Sequence, residues 1–323
     1  MLAVDLGLFN RKAHQISIRE AGIWSAVVIT VALIFNFGVY RTLGPQSGLE
    51  FLTGYLIEFA LSVDNLFVFA LIFAYFKVPP QYQHRVLFWG IIGALVLRGV
   101  MIGVGALLIE RFDWIMYVFG GFLVITGIRM AKHDEINVDP AHNPVLKLVR
   151  RFVPVSKVYH GQAFFTRELN PKSGALRRVA TPLFLVLVLV ETTDVVFAVD
   201  SIPAIFGVTR DPFIVYTSNV FAVLGLRSLY FVLAGVIDKF HYLKLGLSIV
   251  LVWIGAKMLL LDVFHMPIAV SLGVVATVLA ASIGASLLFP KRAGEHSQHV
   301  SETAEKTRAS RKPEEDEVIP PIS

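Results

Sequence analysis

The chain has 323 residues, of which 55% are hydrophobic and only 16% are charged, with a formal net charge of +5 and no cysteine. Its mean hydropathy is +0.68. Many apolar runs approach the roughly 20 residues that span a bilayer, so the composition excludes an ordinary soluble domain and predicts a multi-pass membrane protein. The lack of cysteine excludes disulfides, thiolate metal sites and thiol catalysis.

Eight segments have the length and apolar character of membrane spans. In chain order they are residues 23–40, 50–76, 86–109, 114–130, 181–207, 213–236, 243–261 and 267–289. Lys and Arg are concentrated in the N-terminal stretch, in the loops at 77–85 and 132–180, and in the tail. By the positive-inside rule, both termini and the long loop are expected to be cytoplasmic. The basic composition then reflects topology and contact with anionic lipids, and we expect no nucleic acid partner.

The segments outside the repeated helices have simpler interpretations. Residues 1–22 are predicted to be a cytoplasmic N-terminal segment without a cleavable signal peptide, and residues 23–49 hold the first full span and its loop. The cytoplasmic loop 132–180 is predicted to contain a short amphipathic helix within 143–155 and a β-hairpin around the turn signal at 170–174. We interpret this loop as a linker, with gating or partner binding as the alternative. Residues 290–323 are expected to be a disordered cytoplasmic tail.

Two parts of the chain resemble each other over three predicted helices. The matching positions are Glu58 with Asp194, Asp64 with Asp200, Arg98 with Arg227, and Gly127 with Gly255. An odd number of crossings in each copy makes the two copies enter the membrane from opposite sides, as in secondary transporters. We therefore predict an all-α transmembrane bundle of two inverted three-helix repeats, at 50–131 and 181–262, with flanking helices that include a last span at 263–289.

Five carboxylates lie inside predicted spans, where each acidic side chain at a helix centre costs roughly 2.5–3.5 kcal/mol. They are Glu58, Asp64, Glu191, Asp194 and Asp200. Only Arg98 and Arg227 oppose them in the equivalent helices, so the excess negative charge favours a bound divalent cation, with or without protons. The alternative is that the acids and arginines only form ion pairs that fix helix packing.

The residue types around these acids suit a hard cation. Pro203 is expected to break its helix beside Asp200 and Ser201 and so to free backbone carbonyl oxygens. Carboxylate, amide, hydroxyl and carbonyl oxygens together are the ligands of hard cations. No histidine lies inside a span, so Mn2+, Ca2+ or Mg2+ is favoured over copper or zinc. The predicted ligands are the five acids with Asn65 and Ser201.

Other classes of function fit less well. Nucleophile, paired-acid and zinc-protease motifs are absent from the spans, so we do not expect an enzyme. An oxyanion would meet surplus negative charge. The remaining alternative is a membrane scaffold, with the acids as structural ion pairs and with membrane-protein partners.

Four stretches carry a resemblance to a known family. They are EFALSVDNLFV at 58–68, QHRVLFWG at 83–90, ETTDVVFAVDSIPAIF at 191–206 and TRDPFIVYTSN at 209–219. Together they resemble the TerC family of integral membrane proteins, in its Alx-type branch, over nearly the whole chain. The family usually begins with a further hydrophobic helix, and residues 1–9 resemble only the end of that helix.

The resemblance implies a LysE-type transporter of the bacterial inner membrane, linked by the family name to tellurite resistance and, in this branch, to manganese export. Tellurite itself is not expected as cargo, because an anion would meet surplus negative charge. The alternative is a membrane scaffold that assists resistance complexes, or the folding and metallation of exported proteins. It implies that the five acids form the transport site, with Asn65 and Ser201 as auxiliary ligands. We therefore expect alternating access with Mn2+, or Ca2+, as cargo, protons as the counter-ion, and no permanently bound cofactor.

Overall fold

The computed structural model describes residues 18–132, 144–156, 158–169, 176–233, 242–263 and 266–288. Seven residues have a described backbone in a helix but no described side chain: Ile18, Asp64, Phe67, Pro144, Arg150, Arg227 and Leu233. The helices are α1 (Ile18–Thr42), α2 (Pro45–Tyr75), α3 (Pro80–Arg111), α4 (Ile115–Lys132), α5 (Pro144–Phe152), α6 (Pro182–Phe206), α7 (Pro212–Leu233), α8 (Leu243–Leu259) and α9 (Ile268–Leu288). The strands are β1 (Phe165–Leu169) and β2 (Leu176–Ala180).

The structure is that of an all-α, multi-pass membrane protein. Seven of the described helices are long and apolar enough to cross a membrane, namely α1, α2, α3, α4, α6, α7 and α9. The remaining predicted span corresponds to α8, whose 17 residues are at the lower limit for a crossing. The predicted N-terminal segment up to residue 17 and the predicted disordered tail lie outside the described residues.

The predicted break at Pro203 is wrong. Helix α6 continues through Pro203 to Phe206. Proline removes only the hydrogen bond from its own nitrogen to the Val199 carbonyl, and Gly207 still donates to the Pro203 carbonyl at 3.0 Å. With so few residues left in the helix, this loss does not unwind it. Asp200 therefore projects from regular helix, and of the carbonyl oxygens beside it only that of Val199 loses its helical hydrogen bond.

Two clusters of buried apolar side chains show the direction of each central helix. The first core cluster contains Ile57 from the earlier part of α2 and Phe206 from the end of α6. The second core cluster contains Phe73 from the end of α2 and Leu183 from the start of α6. Helices α2 and α6, the first helices of the two predicted repeats, therefore run antiparallel.

The second helices of the repeats are related in the same way. Helix α3 contributes Ile91 to the second core cluster before it contributes Ile102 to the first. Helix α7 contributes Val215 to the first core cluster before Tyr230 to the second. Helices α3 and α7 therefore also run antiparallel through the same two clusters.

The third helices, α4 and α8, cross at very short range. A methyl group added at Gly120 would lie 2.9 Å from the carbonyl oxygen of Gly255, and one at Gly127 would lie 2.8 Å from that of Ser248. Small residues allow such backbone contact between membrane helices. The order of these contacts makes α4 and α8 antiparallel, so all three matched helix pairs have the arrangement that two inverted repeats require.

The loop between α4 and α6 contains the elements expected there. Helix α5 lies within the predicted amphipathic stretch, and β1 pairs with β2 in an antiparallel hairpin. The Tyr159 hydroxyl donates to the Phe76 carbonyl at 2.7 Å, and the Arg85 guanidinium donates to Gln162 at 3.4 Å. The loop is thus attached to the end of α2 and the start of α3.

Candidate functional site

A layer of buried polar side chains separates the two core clusters. Its members come from four helices: Glu58 and Ser62 of α2, Arg98 of α3, Asp194 of α6 and Asn219 of α7. None of them is more than 3% exposed. Ser62, Arg98, Asp194 and Asn219 each lie along their own helix between a residue of the first core cluster and one of the second. Glu58 lies one turn before Ser62, among residues of the first core cluster. We call these five residues the polar layer.

Arg98 connects the two acids of the polar layer. Its Nε and Nη2 atoms donate to the two carboxylate oxygens of Asp194 at 3.0 and 2.9 Å, and its Nη1 atom donates to Glu58 Oε1. The bidentate pairing with Asp194 is the strong geometry for a guanidinium and a carboxylate. Because all three side chains are buried, removing Arg98 would leave two carboxylates without their cation in an apolar surrounding, whereas removing one acid would leave a neutral ion pair.

Glu58 and Asp194 are matched positions in the two repeats. A single arginine from the first repeat therefore joins equivalent acids of both repeats at the centre of the bundle. With both carboxylates ionised, this group carries a net charge of −1, because one guanidinium opposes two acids. The matched Arg227 has no described side chain.

Several polar atoms of the layer have no hydrogen-bond partner among the described residues. They are Glu58 Oε2, Ser62 Oγ and both side-chain polar atoms of Asn219. Buried polar atoms in native proteins nearly always bond to protein, water or an ion. These atoms include carboxylate, hydroxyl and amide oxygens, which are donor types that hard cations accept.

Glu191 lies on α6 one turn before Asp194, toward the second core cluster. Its carboxyl group is in contact with Gly93 of α3, where an added methyl group would overlap it. Its Oε2 atom is buried and has no partner within the described part of the chain. Glycine at position 93 thus makes room for an acid beside the polar layer.

Asp64 and Asp200 lie six residues beyond Glu58 and Asp194, about 9 Å along each helix axis. Because α2 and α6 are antiparallel, Asp64 lies on the side of the second core cluster and Asp200 on the side of the first. Asp200 is half-buried, and Thr126 of α4 donates to its Oδ1 atom at 3.4 Å. The side chain of Asp64 lies outside the described part of the structure.

The structure thus divides the predicted ligands instead of gathering them. Glu58 and Asp194 meet at Arg98, whereas Asp200 is further along α6. In the described residues, no three histidine or acidic side chains are close enough to hold a metal ion together. Asn65 and Ser201 are both 2% exposed, and Ser201 Oγ has no hydrogen-bond partner within the same part of the chain.

Asn219 and Thr126 were not predicted as site residues. Asn219 is the last residue of the stretch 209–219, and a polar amide inside an apolar span is the signal that could have identified it. Thr126 gave no comparable signal, because threonine in a membrane helix can also bond to its own backbone.

Comparison with known proteins agrees with the sequence and the fold. Residues 43–294 match the family described as "Integral membrane protein TerC family". An "Uncharacterized membrane protein STKORF319" from Myxococcus xanthus is 52% identical over 91% of this chain and 90% of its own length. Proteins from Shigella flexneri and Escherichia coli K12, each named "Putative membrane-bound redox modulator Alx", are 50% identical over 86% of this chain and 88% of their own lengths. No solved structure matches.

Proposed function

Because the chain belongs to the TerC family of integral membrane proteins, we propose that it is a membrane transporter, not an enzyme, and that it exports a divalent cation, Mn2+ above all and Ca2+ next. The observation that carries this proposal is the polar layer. Its buried oxygen atoms without protein partners, beside an excess of acids over arginines, match what a hard cation requires.

The donor types in and around the layer favour manganese and calcium over softer metals. Glu58, Ser62 and Asn219 offer only oxygen as metal ligands, and the chain has no cysteine. Sulfur and imidazole ligands are those that select copper and zinc. An oxyanion would meet a layer with a net charge of −1, so the cargo is a cation.

The polar layer holds the ion at the centre of its path, and the acids on either side of the layer form two half-sites. With the orientation predicted from the Lys and Arg distribution, Asp64 and Glu191 face the cytoplasmic half of the membrane and Asp200 faces the outer half. The ion is loaded from the cytoplasm at the first half-site and released from the second after the two repeats rock against each other. Proton entry or the membrane potential then drives the release.

The name of the Shigella flexneri and Escherichia coli relatives refers to a redox role. In this chain such a role cannot use thiol–disulfide exchange, because the sequence contains no cysteine. Cation export changes the metal content of the cell, and this change can alter the redox state of the cell. Such an effect needs no thiol in the transporter.

One observation favours the scaffold alternative. Arg98 satisfies three of the four carboxylate oxygens of Glu58 and Asp194, as a purely structural ion network would. A scaffold, however, does not need the remaining acids, Glu191, Asp64 and Asp200, inside the membrane. Placing these three acids inside the membrane without a ligand costs free energy, and therefore transport is the better proposal.

The test is Mn2+ and Ca2+ uptake into inside-out vesicles that contain the purified protein. We expect the parent to accumulate Mn2+, and Asp64→Asn and Asp200→Asn to reduce uptake at least tenfold at equal protein content. Asp113→Asn is the matched control, because the side chain of Asp113 is 93% exposed at a helix end, and it should transport as the parent does. If neither ion enters vesicles that contain the parent, the scaffold function replaces the transporter.

A further inference from the structure

One face of the β-hairpin carries exposed leucines and arginines side by side. In the antiparallel register, Leu169 pairs with Leu176 and Arg167 pairs with Arg178. Alternate residues of a strand share a face, so all four side chains project from the same side, together with Phe165. The two leucines are 67% and 66% exposed. In water this exposure is unfavourable, so we expect a partner that covers the face.

The opposite face of the hairpin is covered in part, with Arg177 exposed and Val179 buried, and its contacts fix the orientation of the exposed face. The Glu168 carboxylate lies 3.1 Å from His160 Nε2, and Val179 is only 1% exposed. The His160 side chain belongs to the segment that also contacts the end of α2 through Tyr159. The hairpin is therefore attached to the bundle by its inner face and cannot turn its leucines inward.

The hairpin leads directly into a membrane span. Strand β2 ends at Ala180, and α6 begins at Pro182. The Phe165 ring centroid is 4.7 Å from that of Phe184 of α6, and the Arg178 guanidinium lies 4.8 Å from the Phe165 ring centroid. These contacts keep the arginine beside the first turn of the span.

Helix α5, in the same loop, also carries exposed apolar side chains next to exposed basic ones. Leu148 and Phe152 are 56% and 74% exposed on one face, and the side chains of Lys147 and Arg151 beside them are also exposed. Its opposite face is held by Leu146, which is 2% exposed within the second core cluster. Two elements with different backbone structures thus present apolar side chains flanked by basic ones.

We propose that Phe165, Arg167, Leu169, Leu176 and Arg178 form a lipid-binding face that inserts into the headgroup region of the adjacent leaflet and requires anionic lipid. The leucines enter the boundary between headgroups and acyl chains, and the arginines bind lipid phosphates. Charge complementarity identifies the partner as an anionic membrane surface. This inference does not depend on the transported ion.

The test uses single cysteines, which carry no background because the parent has none. Leu169→Cys is labelled with an environment-sensitive fluorophore and reconstituted in vesicles of phosphatidylcholine alone or mixed equally with phosphatidylglycerol. We expect quenching by spin-labelled lipid in the mixed vesicles to be at least threefold stronger than in phosphatidylcholine vesicles. Arg167→Gln with Arg178→Gln in the same labelled chain should abolish that difference.

Thr166→Cys is the matched control, because its side chain lies on the inner face of the same strand, and its label should be quenched equally in both vesicle types. Each labelled protein must first elute as the parent does in detergent. Equal quenching of the Leu169 label in the two vesicle types would overturn the requirement for anionic lipid. Quenching by aqueous iodide without any by lipid would show that the face binds something other than the membrane.

Discussion

Arg98 is the residue on which the polar layer depends. It is fully buried, and its donors satisfy both oxygens of Asp194 and one of Glu58. No other described side chain makes an ion pair with either acid. Without the guanidinium, two matched acids of the two repeats would face each other in an apolar surrounding, and at least one would have to take up a proton.

We expect Arg98→Gln to lower the free energy of unfolding by about 3–5 kcal/mol, because it leaves buried carboxylates without a cation. Arg98→Lys should lie between this variant and the parent, since lysine keeps the charge and loses the bidentate geometry. The measurement is the unfolding midpoint of the purified protein in detergent, together with the yield from membranes.

A fully neutral layer provides the control for this prediction. Arg98→Gln combined with Glu58→Gln and Asp194→Asn removes all three charges, so it should recover most of the stability that Arg98→Gln alone loses. It should still fail to transport. If Arg98→Gln unfolds at the same temperature as the parent, the ion network is not what stabilises this region.

Gly93 offers a test of the position of Glu191. Gly93→Ala places a methyl group where the Glu191 carboxyl group now lies, so the end of this flexible side chain must move to another rotamer, and we expect a loss of about 0.5–1.5 kcal/mol. Gly103→Ala on the same helix has no neighbour within 4 Å and should be neutral or more stable by up to about 1 kcal/mol. Thermal unfolding of both variants gives the comparison. If adding Glu191→Ala restores the stability that Gly93→Ala loses, the carboxyl group is the obstacle.

At the scale of elements, the crossing of α4 and α8 depends on glycines with backbone neighbours. Gly120→Ala would bring its methyl group 2.9 Å from the Gly255 carbonyl oxygen and equally near to Met258 Cβ, neither of which can rotate away. We expect a loss of at least about 1–3 kcal/mol and reduced insertion. Gly121→Ala, one residue further on, meets nothing within 4 Å and is the matched control. Equal unfolding midpoints for the two variants would contradict the close crossing.

The hairpin should respond to acid through Glu168. Hydrogen bonding from Ser156, and then from His160, holds the pKa of Glu168 below its ordinary value. A carboxylate with a lowered pKa in the folded state adds stability that is complete above its unfolded pKa of about 4.3 and is lost as the pH falls through the folded value. Amide exchange of β1 should therefore accelerate relative to α6 only below about pH 4. Glu168→Gln should abolish this extra acceleration.

For the whole molecule, the sequence predicted the fold well because each helix of the repeats is long and apolar. The sequence matched Glu58 with Asp194, and in the structure both acids bind Arg98. The interpretation of Pro203 failed because a proline this near a helix end breaks only one hydrogen bond. The six-residue spacing already separates Asp200 from Asp194 by about 9 Å along α6. The contact of Asp200 with Thr126 depends on which helix packs beside α6, and spacing along one helix does not contain that information.

The antiparallel course of α2 and α6 leads to a prediction for the molecule as a whole. Asp64 and Asp200 lie on opposite sides of the polar layer, so each should control ion entry from one side of the membrane only. Conservative variants that keep some activity, Asp64→Glu and Asp200→Glu, allow this to be measured in vesicles of both orientations. We expect Asp64→Glu to raise the half-saturating Mn2+ concentration at least threefold from the cytoplasmic side, and Asp200→Glu to do so from the outer side. Asp113→Glu should change neither value, since Asp113 is exposed at a helix end. If both variants shift the same side equally, the two acids bind one shared ion, and the polar layer does not separate two half-sites.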